Sequence, residues 1–183
     1  MTLRKLRHQE LVPRHDEIIG LSGKLRRVLL LRDFYNWISS RIKLLENKLR
    51  DIPSPRGLEG LVSLWIMYAR EFLGETEFLG TANVTRISYN RWVEDEGYRA
   101  DLLVALGIPM KDNSNRYVPD VGGGSSFDGG AFTGRPTEMK VSERWRHLGE
   151  QKYSTVLGPI LDRRGELEQL NQAIFGIAFP FQP

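Results

Sequence analysis

The sequence predicts a three-layer α/β fold built on a parallel sheet. A short and continuously apolar run at residues 26–31 (RRVLLL) has the pattern of a strand buried in the centre of such a sheet. A segment whose apolar residues recur at helical spacing follows this run. A second short segment, VTRISY, is rich in β-branched residues and lies at residues 84–89. The order strand, helix, helix, strand, helix is typical of a parallel sheet covered by helices.

The first helix is predicted over residues 34–50. Apolar residues recur there at helical spacing, and Asp33 is placed to cap the first turn. The prolines of the segment DIPSPRG cannot continue a helical hydrogen-bond ladder, so the helix is expected to end before them. The apolar positions are Ile38, Ile42, Leu45 and Leu49.

Further helices are predicted from the same pattern. The second carries an apolar stripe that includes Trp65 and Tyr68, two aromatic residues that we assign to the core rather than to a ligand platform. Gly74 and Gly107 are expected to end the second and third helices. The predicted helices cover residues 58–73, 94–106, 150–162 and 165–175.

Residues 108–138 are predicted to form a long loop. They contain the run GGGSSFDGG and few aliphatic residues. A loop of this length is too long to be a plain connector, and its two phenylalanines, Phe127 and Phe132, argue against simple disorder. We therefore expect this loop to have a functional role.

The composition is that of one globular domain, residues 1–183. Hydrophobic residues make up 40% and charged residues 27% of the chain, and no apolar run approaches the ~20 residues that cross a bilayer. The absence of cysteine excludes disulfides and thiolate metal sites. No secretory signal is recognisable, so a cytoplasmic location is expected.

Charge is distributed unevenly along the chain. Residues 1–50 hold 12 Lys and Arg against 5 Asp and Glu, although the whole chain carries only +3. A basic N-terminal part suits an anionic ligand, whether a nucleotide or a nucleic acid. The alternative is a solvated basic surface without a ligand.

Arg32 and Ser40 have the arrangement of a phosphate site. Ligands of open parallel sheets bind at the carboxyl ends of the strands, and Arg32 follows such an end directly. The amides of the next helix point to the same place, and the planar guanidinium matches a phosphate group. A hydroxyl two turns along the helix, Ser40, adds another polar group. The alternative is that Arg32 pairs with an acidic neighbour and that Ser39 or Ser40 lies on the helix surface.

This stretch resembles the 3′-phosphate-binding segment of the sulfotransferases that use PAPS (3′-phosphoadenosine 5′-phosphosulfate). In that family a strand ends in arginine, a helix begins, and a serine lies eight residues on, as Arg32 and Ser40 do here. The strand TRISYNRW resembles the family's later strand, whose tyrosine stands beside the adenine, which places Tyr89 in that role. The resemblance implies that PAPS is the co-substrate.

The resemblance extends, in family order, over roughly residues 26–148. The helix YRADLLVALGIP is similar to the family's next helix, and VSERWRHL to its tryptophan-containing segment. The resemblance implies a P-loop-NTPase-like fold and transfer of a sulfuryl group from PAPS to a hydroxyl or amine of an unidentified acceptor. The loop Gly122–Ser126 would then close over the nucleotide; Gly123, Gly124, Ser125 and Ser126 are its expected contacts.

The sequence departs from the family at two places. In the family, a lysine-bearing 5′-phosphosulfate loop lies far upstream of the arginine that corresponds to Arg32, but no G-x-x-x-x-G-K-[ST] pattern is present here. We therefore expect a fold that is truncated at its N-terminus. We also expect it to be inactive unless that loop is supplied. The family's Arg-Lys-Gly triplet is also absent; amides of Gly122–Ser126 and the guanidinium of Arg135 are the expected replacement. The family's general base is a histidine, and His8, 24 residues before Arg32, is the candidate.

The rival function is that of a basic nucleic-acid- or protein-binding module without catalysis. Its support is the isoelectric point of about 9.3. Against nucleic acid, the basic residues are not interleaved with aromatics, and no helix-turn-helix or zinc pattern occurs. A serine hydrolase is disfavoured because no G-x-S-x-G motif is present, and no histidine and carboxylate cluster has metal-ligand spacing.

Overall fold

The computed structural model describes residues 27–49, 54–80, 84–109, 125, 127–132 and 134–178. In these ranges the chain is mixed α/β and mostly helical, with one two-stranded parallel sheet. Strand β1 (Arg27–Leu31) pairs with β2 (Val84–Ser88), and Leu31 lies opposite Ser88. Both predicted strands and their parallel pairing are therefore confirmed.

Six α-helices and three 3-10 helices surround this sheet in the described ranges. The α-helices are α1 (Phe34–Leu49), α2 (Pro55–Leu73), α3 (Tyr89–Glu94), α4 (Glu96–Leu106), α5 (Gly158–Asp162) and α6 (Arg164–Phe175). The 3-10 helices are Pro136–Glu138, Val141–Gly149 and Gln151–Val156. None of the helices in the described part of the chain is both long and apolar enough to traverse a bilayer.

Helix boundaries differ from the prediction where capping residues act. Helix α2 begins three residues early because the Ser54 side chain caps it, accepting from the Gly57 amide at 3.3 Å, and Pro55 suits the first helical position. The helix predicted over residues 94–106 begins at Glu96, because the Asp95 carboxylate caps α4 through the Tyr98 amide at 2.8 Å, and the short helix α3 before it was not predicted. The helix predicted over 150–162 consists of a 3-10 helix followed by α5.

The core lies between the first two long helices and the C-terminal segments. Phe34 meets Trp65 edge to face at 5.3 Å, and Trp65 is only 1% exposed, which confirms it as a core residue. Tyr68 packs against the edge of the same cluster. Buried aliphatic residues complete it: Leu31, Ile38, Ile42, Leu58, Val62, Ile66, Leu148, Ile160, Leu167 and Leu170.

The first strand is buried on one face rather than on both. Leu29 and Leu31 are each 6% exposed, whereas Val28 and Leu30 are 51% and 53% exposed. Successive residues of a strand point to opposite faces, so this alternation identifies one covered face. The expectation of a strand buried on both faces was therefore wrong for the described structure, although its parallel pairing was right.

Candidate anion-binding site at the carboxyl ends of the strands

The strand register places Arg32 and Tyr89 side by side. Leu31 and Ser88 are paired, and Arg32 and Tyr89 are the next residues along the two parallel chains. The guanidinium carbon of Arg32 lies 5.0 Å from the centroid of the Tyr89 ring, a cation–π contact. Two of the residues predicted to bind a nucleotide are thus neighbours at the carboxyl end of the sheet.

Ser40 joins them from the second turn of α1. Arg32 Nη1 donates to Ser40 Oγ at 3.0 Å, and Ser40 Oγ donates to the Asn36 carbonyl oxygen at 2.9 Å. Arg32 Nη2 donates to the Val141 carbonyl oxygen. The spacing of eight residues therefore brings guanidinium and hydroxyl together, as the sequence predicted.

The Arg32 guanidinium has an unusual environment for a cation. Burial lowers its pKa from the ordinary value; the nearby Tyr89 and Asp33 oppose this shift, and the charge of Arg144 adds to it. Within the described ranges, its hydrogen-bond acceptors are Ser40 and Val141, neither of which carries a carboxylate. The alternative in which Arg32 pairs with an acidic neighbour is therefore not observed there. A partly buried guanidinium that forms no ion pair in the described ranges is costly, and an anionic ligand would relieve that cost.

A buried network of amide side chains holds the neighbouring carboxylate away from Arg32. Asp33 is 1% exposed and accepts from Asn36 Nδ2 at 3.0 and 3.1 Å, and from Asn90 Nδ2 at 2.9 Å. Asn90 Oδ1 accepts the Asp33 amide at 3.1 Å, which ties the start of α3 to the end of β1. Because these donors satisfy the Asp33 carboxylate, the Arg32 guanidinium points elsewhere.

The backbone beside Arg32 is anchored on both sides. Trp65 Nε1 donates to the Arg32 carbonyl oxygen at 2.9 Å, and Asn171 Oδ1 accepts the amide of Phe34 at 2.8 Å. Asn171 is fully buried and lies on α6, at the far end of the chain. The site therefore rests on α2 and α6 as well as on the sheet.

A second arginine, which is buried, lies on the 3-10 helix that contacts Arg32. Arg144 is 7% exposed, and its guanidinium carbon lies 4.6 Å from the centroid of the Phe127 ring. Its carbonyl oxygen accepts from Ser39 Oγ at 2.6 Å, one residue before Ser40, and its side chain forms an ion pair with Asp128. Nothing in the sequence distinguishes Arg144 from a surface arginine, because a 3-10 segment gives no periodic signal.

Of the other residues predicted to bind the nucleotide, two lie in the described part of the chain. Ser125 lies in a turn, and its Oγ donates to Asp128 Oδ2 at 3.1 Å, so it reaches Arg144 through that carboxylate. Arg135 is exposed and pairs with Glu138 at 3.1 Å. His8, Gly122, Gly123, Gly124 and Ser126 lie outside the described residues.

Comparison of the chain with models of known protein families, with functionally characterised proteins and with solved structures gave no significant match. Among the described residues, no group of three or more histidines or carboxylates could hold a metal ion. The case for an anion site therefore depends on the geometry around Arg32.

Proposed function

We propose that this chain binds the 3′-phosphate and the adenine of PAPS, and that it belongs to a sulfotransferase-like protein that moves a sulfuryl group to a hydroxyl or amine acceptor. The observation that supports this proposal is the convergence of Arg32, Ser40 and Tyr89 at the ends of two adjacent parallel strands. The guanidinium is desolvated and is paired with a hydroxyl and a carbonyl rather than with an acid.

Each residue has a distinct part in this proposal. The Arg32 fork donates to two oxygens of the 3′-phosphate, a geometry that arginine supplies better than lysine. The Ser40 hydroxyl turns from the Asn36 carbonyl to a third phosphate oxygen. The Tyr89 ring offers its apolar face to the adenine. The first amides of α1 do not contribute to the site, because buried side chains already accept from them.

The proposal also includes a three-layer, P-loop-NTPase-like fold. In the described residues each strand is followed by a helix, β1 by α1 and β2 by α3. A three-layer, P-loop-NTPase-like sheet is built from such units and binds its nucleotide at the carboxyl ends of its strands. The two described strands would be a part of that larger sheet.

The site accounts for binding and orientation rather than for bond cleavage. In sulfuryl transfer the acceptor oxygen attacks sulfur, its proton passes to a base, and adenosine 3′,5′-bisphosphate leaves. The charge that develops at the 5′ end needs preorganised donors there, whereas Arg32 and Ser40 serve the 3′ end. We propose His8 as the base.

Adenosine 3′,5′-bisphosphate is expected to raise the melting temperature of the wild-type protein, and Arg32→Ala is expected to remove most of that rise. Hydrogen bonds to a charged group are worth about 1.5–3 kcal/mol, which corresponds to a loss of roughly 10- to 100-fold in affinity. Ser40→Ala removes a neutral partner and should cost less, about five-fold. Differential scanning fluorimetry across a ligand titration measures both effects.

The controls separate this site from general charge effects. Arg56 is exposed on the first turn of α2, so Arg56→Ala removes one positive charge outside the site and should leave the ligand shift unchanged. AMP, which lacks the 3′-phosphate, should give a smaller shift. If the bisphosphate raises the melting temperatures of Arg32→Ala and Arg56→Ala by the same amount, the rival binding-module function is favoured. The same holds if nucleic acid binds with a steep salt dependence while the bisphosphate has no effect on the melting temperature.

A further inference from the structure

A small turn presents a carboxylate to the buried Arg144. Ser125 and Gly129 exchange two backbone hydrogen bonds, at 2.9 and 2.8 Å, which close the turn. The Ser125 hydroxyl accepts from the amides of Phe127 and Asp128, each at 3.2 Å, and donates to Asp128 Oδ2. The position of the Asp128 carboxylate is therefore fixed before any ligand binds.

Asp128 is the counter-ion of Arg144. The two side chains are 21% and 9% exposed, respectively, so solvent screens their ion pair only partly. The hydrogen bond from Arg144 holds the pKa of Asp128 below its ordinary value, and so the carboxylate is ionised at neutral pH. Phe127 covers the guanidinium from the same turn.

Arg144 belongs to the same neighbourhood as Arg32. The 3-10 helix Val141–Gly149 contacts Arg32 through the Val141 carbonyl and contacts α1 through the bond between Ser39 Oγ and the Arg144 carbonyl. The two guanidiniums repel each other, which is one reason why the pKa of Arg32 is lowered. Asp128 is the carboxylate that neutralises one of them in the described structure.

We infer that Asp128 is an internal competitor of the anionic ligand. Its carboxylate pairs with Arg144 in the free protein and thereby weakens binding of the phosphate by Arg32 and Arg144. This inference rests on the proposed function, because it concerns the affinity of the same site. A phosphate dianion that approaches Arg144 meets the repulsion of the Asp128 carboxylate and competes with it for the guanidinium. The turn thereby sets the affinity of the site below what two guanidiniums alone would give.

Asp128→Asn is the direct test. The amide oxygen keeps a hydrogen bond from Arg144 and a contact with Ser125, but the negative charge is gone. Adenosine 3′,5′-bisphosphate is expected to bind this variant about tenfold more tightly than the wild type in isothermal titration calorimetry at physiological salt. Glu143→Gln is the matched control, because it also removes one carboxylate that pairs with an arginine, the exposed Arg146, and its affinity should stay within twofold of the wild type.

The outcomes distinguish the inference from the proposed function. If wild type and variant both bind the bisphosphate and Asp128→Asn binds equally or more weakly, Asp128 is a structural partner only and the inference is overturned while the proposed function stands. If neither protein binds the bisphosphate, the proposed function itself fails. Should Asp128→Asn not fold, Ser125→Ala serves instead: it frees the carboxylate from its turn, and a gain of two- to threefold is expected, whereas unchanged or weaker binding overturns the inference.

Discussion

Replacing Trp65 with alanine is expected to lower the free energy of unfolding by about 3–5 kcal/mol, as for other buried tryptophans. The residue is 1% exposed, meets Phe34 edge to face, and donates from Nε1 to the Arg32 carbonyl oxygen. A cavity of indole size would therefore open directly beneath the candidate site. Total stability of a domain is about 5–15 kcal/mol, so this loss is a large fraction of it. Urea denaturation followed by circular dichroism measures the change.

Trp65→Phe separates the two contributions of this side chain. It keeps an aromatic ring against Phe34 but removes the hydrogen bond to the Arg32 carbonyl, and a smaller loss of about 1–2 kcal/mol is expected. If Trp65→Ala proves no more harmful than Trp65→Phe, the ring does not fill the core as described.

Asn36→Leu is expected to destabilise the protein by about 3–5 kcal/mol although leucine has the same branched side-chain shape. The Asn36 amide donates to both oxygens of the buried Asp33 carboxylate and to the Ser142 carbonyl, and its oxygen accepts the Trp145 amide at 3.0 Å. Leucine supplies none of these, which leaves a buried charge with fewer donors. Chemical denaturation at neutral pH, with the linear extrapolation to water, gives the value.

Two comparisons sharpen that result. Asn90→Ala removes one donor to the Asp33 carboxylate and one acceptor of the Asp33 amide, so a loss of intermediate size is expected. Lys48→Ala changes an exposed residue in the last turn of the same helix and should stay within about 0.5 kcal/mol of the wild type. If Asn36→Leu lowers the free energy of unfolding no more than Lys48→Ala does, the amide network does not stabilise the Asp33 carboxylate.

The sequence was most informative around the first strand and the helix after it. The apolar run stops at Arg32, the spacing turns helical at once, and Asp33 caps the new helix through the Asn36 amide at 3.0 Å, so these boundaries could be predicted to within a residue. The distance of eight residues from Arg32 to Ser40 then determines that the two side chains meet. Placing Tyr89 beside them needed the family resemblance, because a single sequence does not show which strands pair.

Other parts of the site depend on contacts that no local pattern encodes. Arg144 and Asp128 each look like surface charges in the sequence, and only the packing of the 3-10 helix against α1 buries the arginine. Asn171 supports the Phe34 amide from 137 residues along the chain. Burial on both faces of the first strand was inferred from apolar residues alone, and the exposure of Val28 and Leu30 corrects it.

Binding of a nucleotide 3′-phosphate by Arg32 and Ser40 can be observed by phosphorus NMR of adenosine 3′,5′-bisphosphate during titration with the protein. The bisphosphate gives separate resonances for its two phosphates. We expect the 3′ resonance to shift or broaden more than the 5′ resonance with wild-type protein, and Arg32→Ala to remove this difference. A response confined to the 5′ resonance, or the same response with Arg32→Ala, would show that these two residues do not bind the 3′-phosphate.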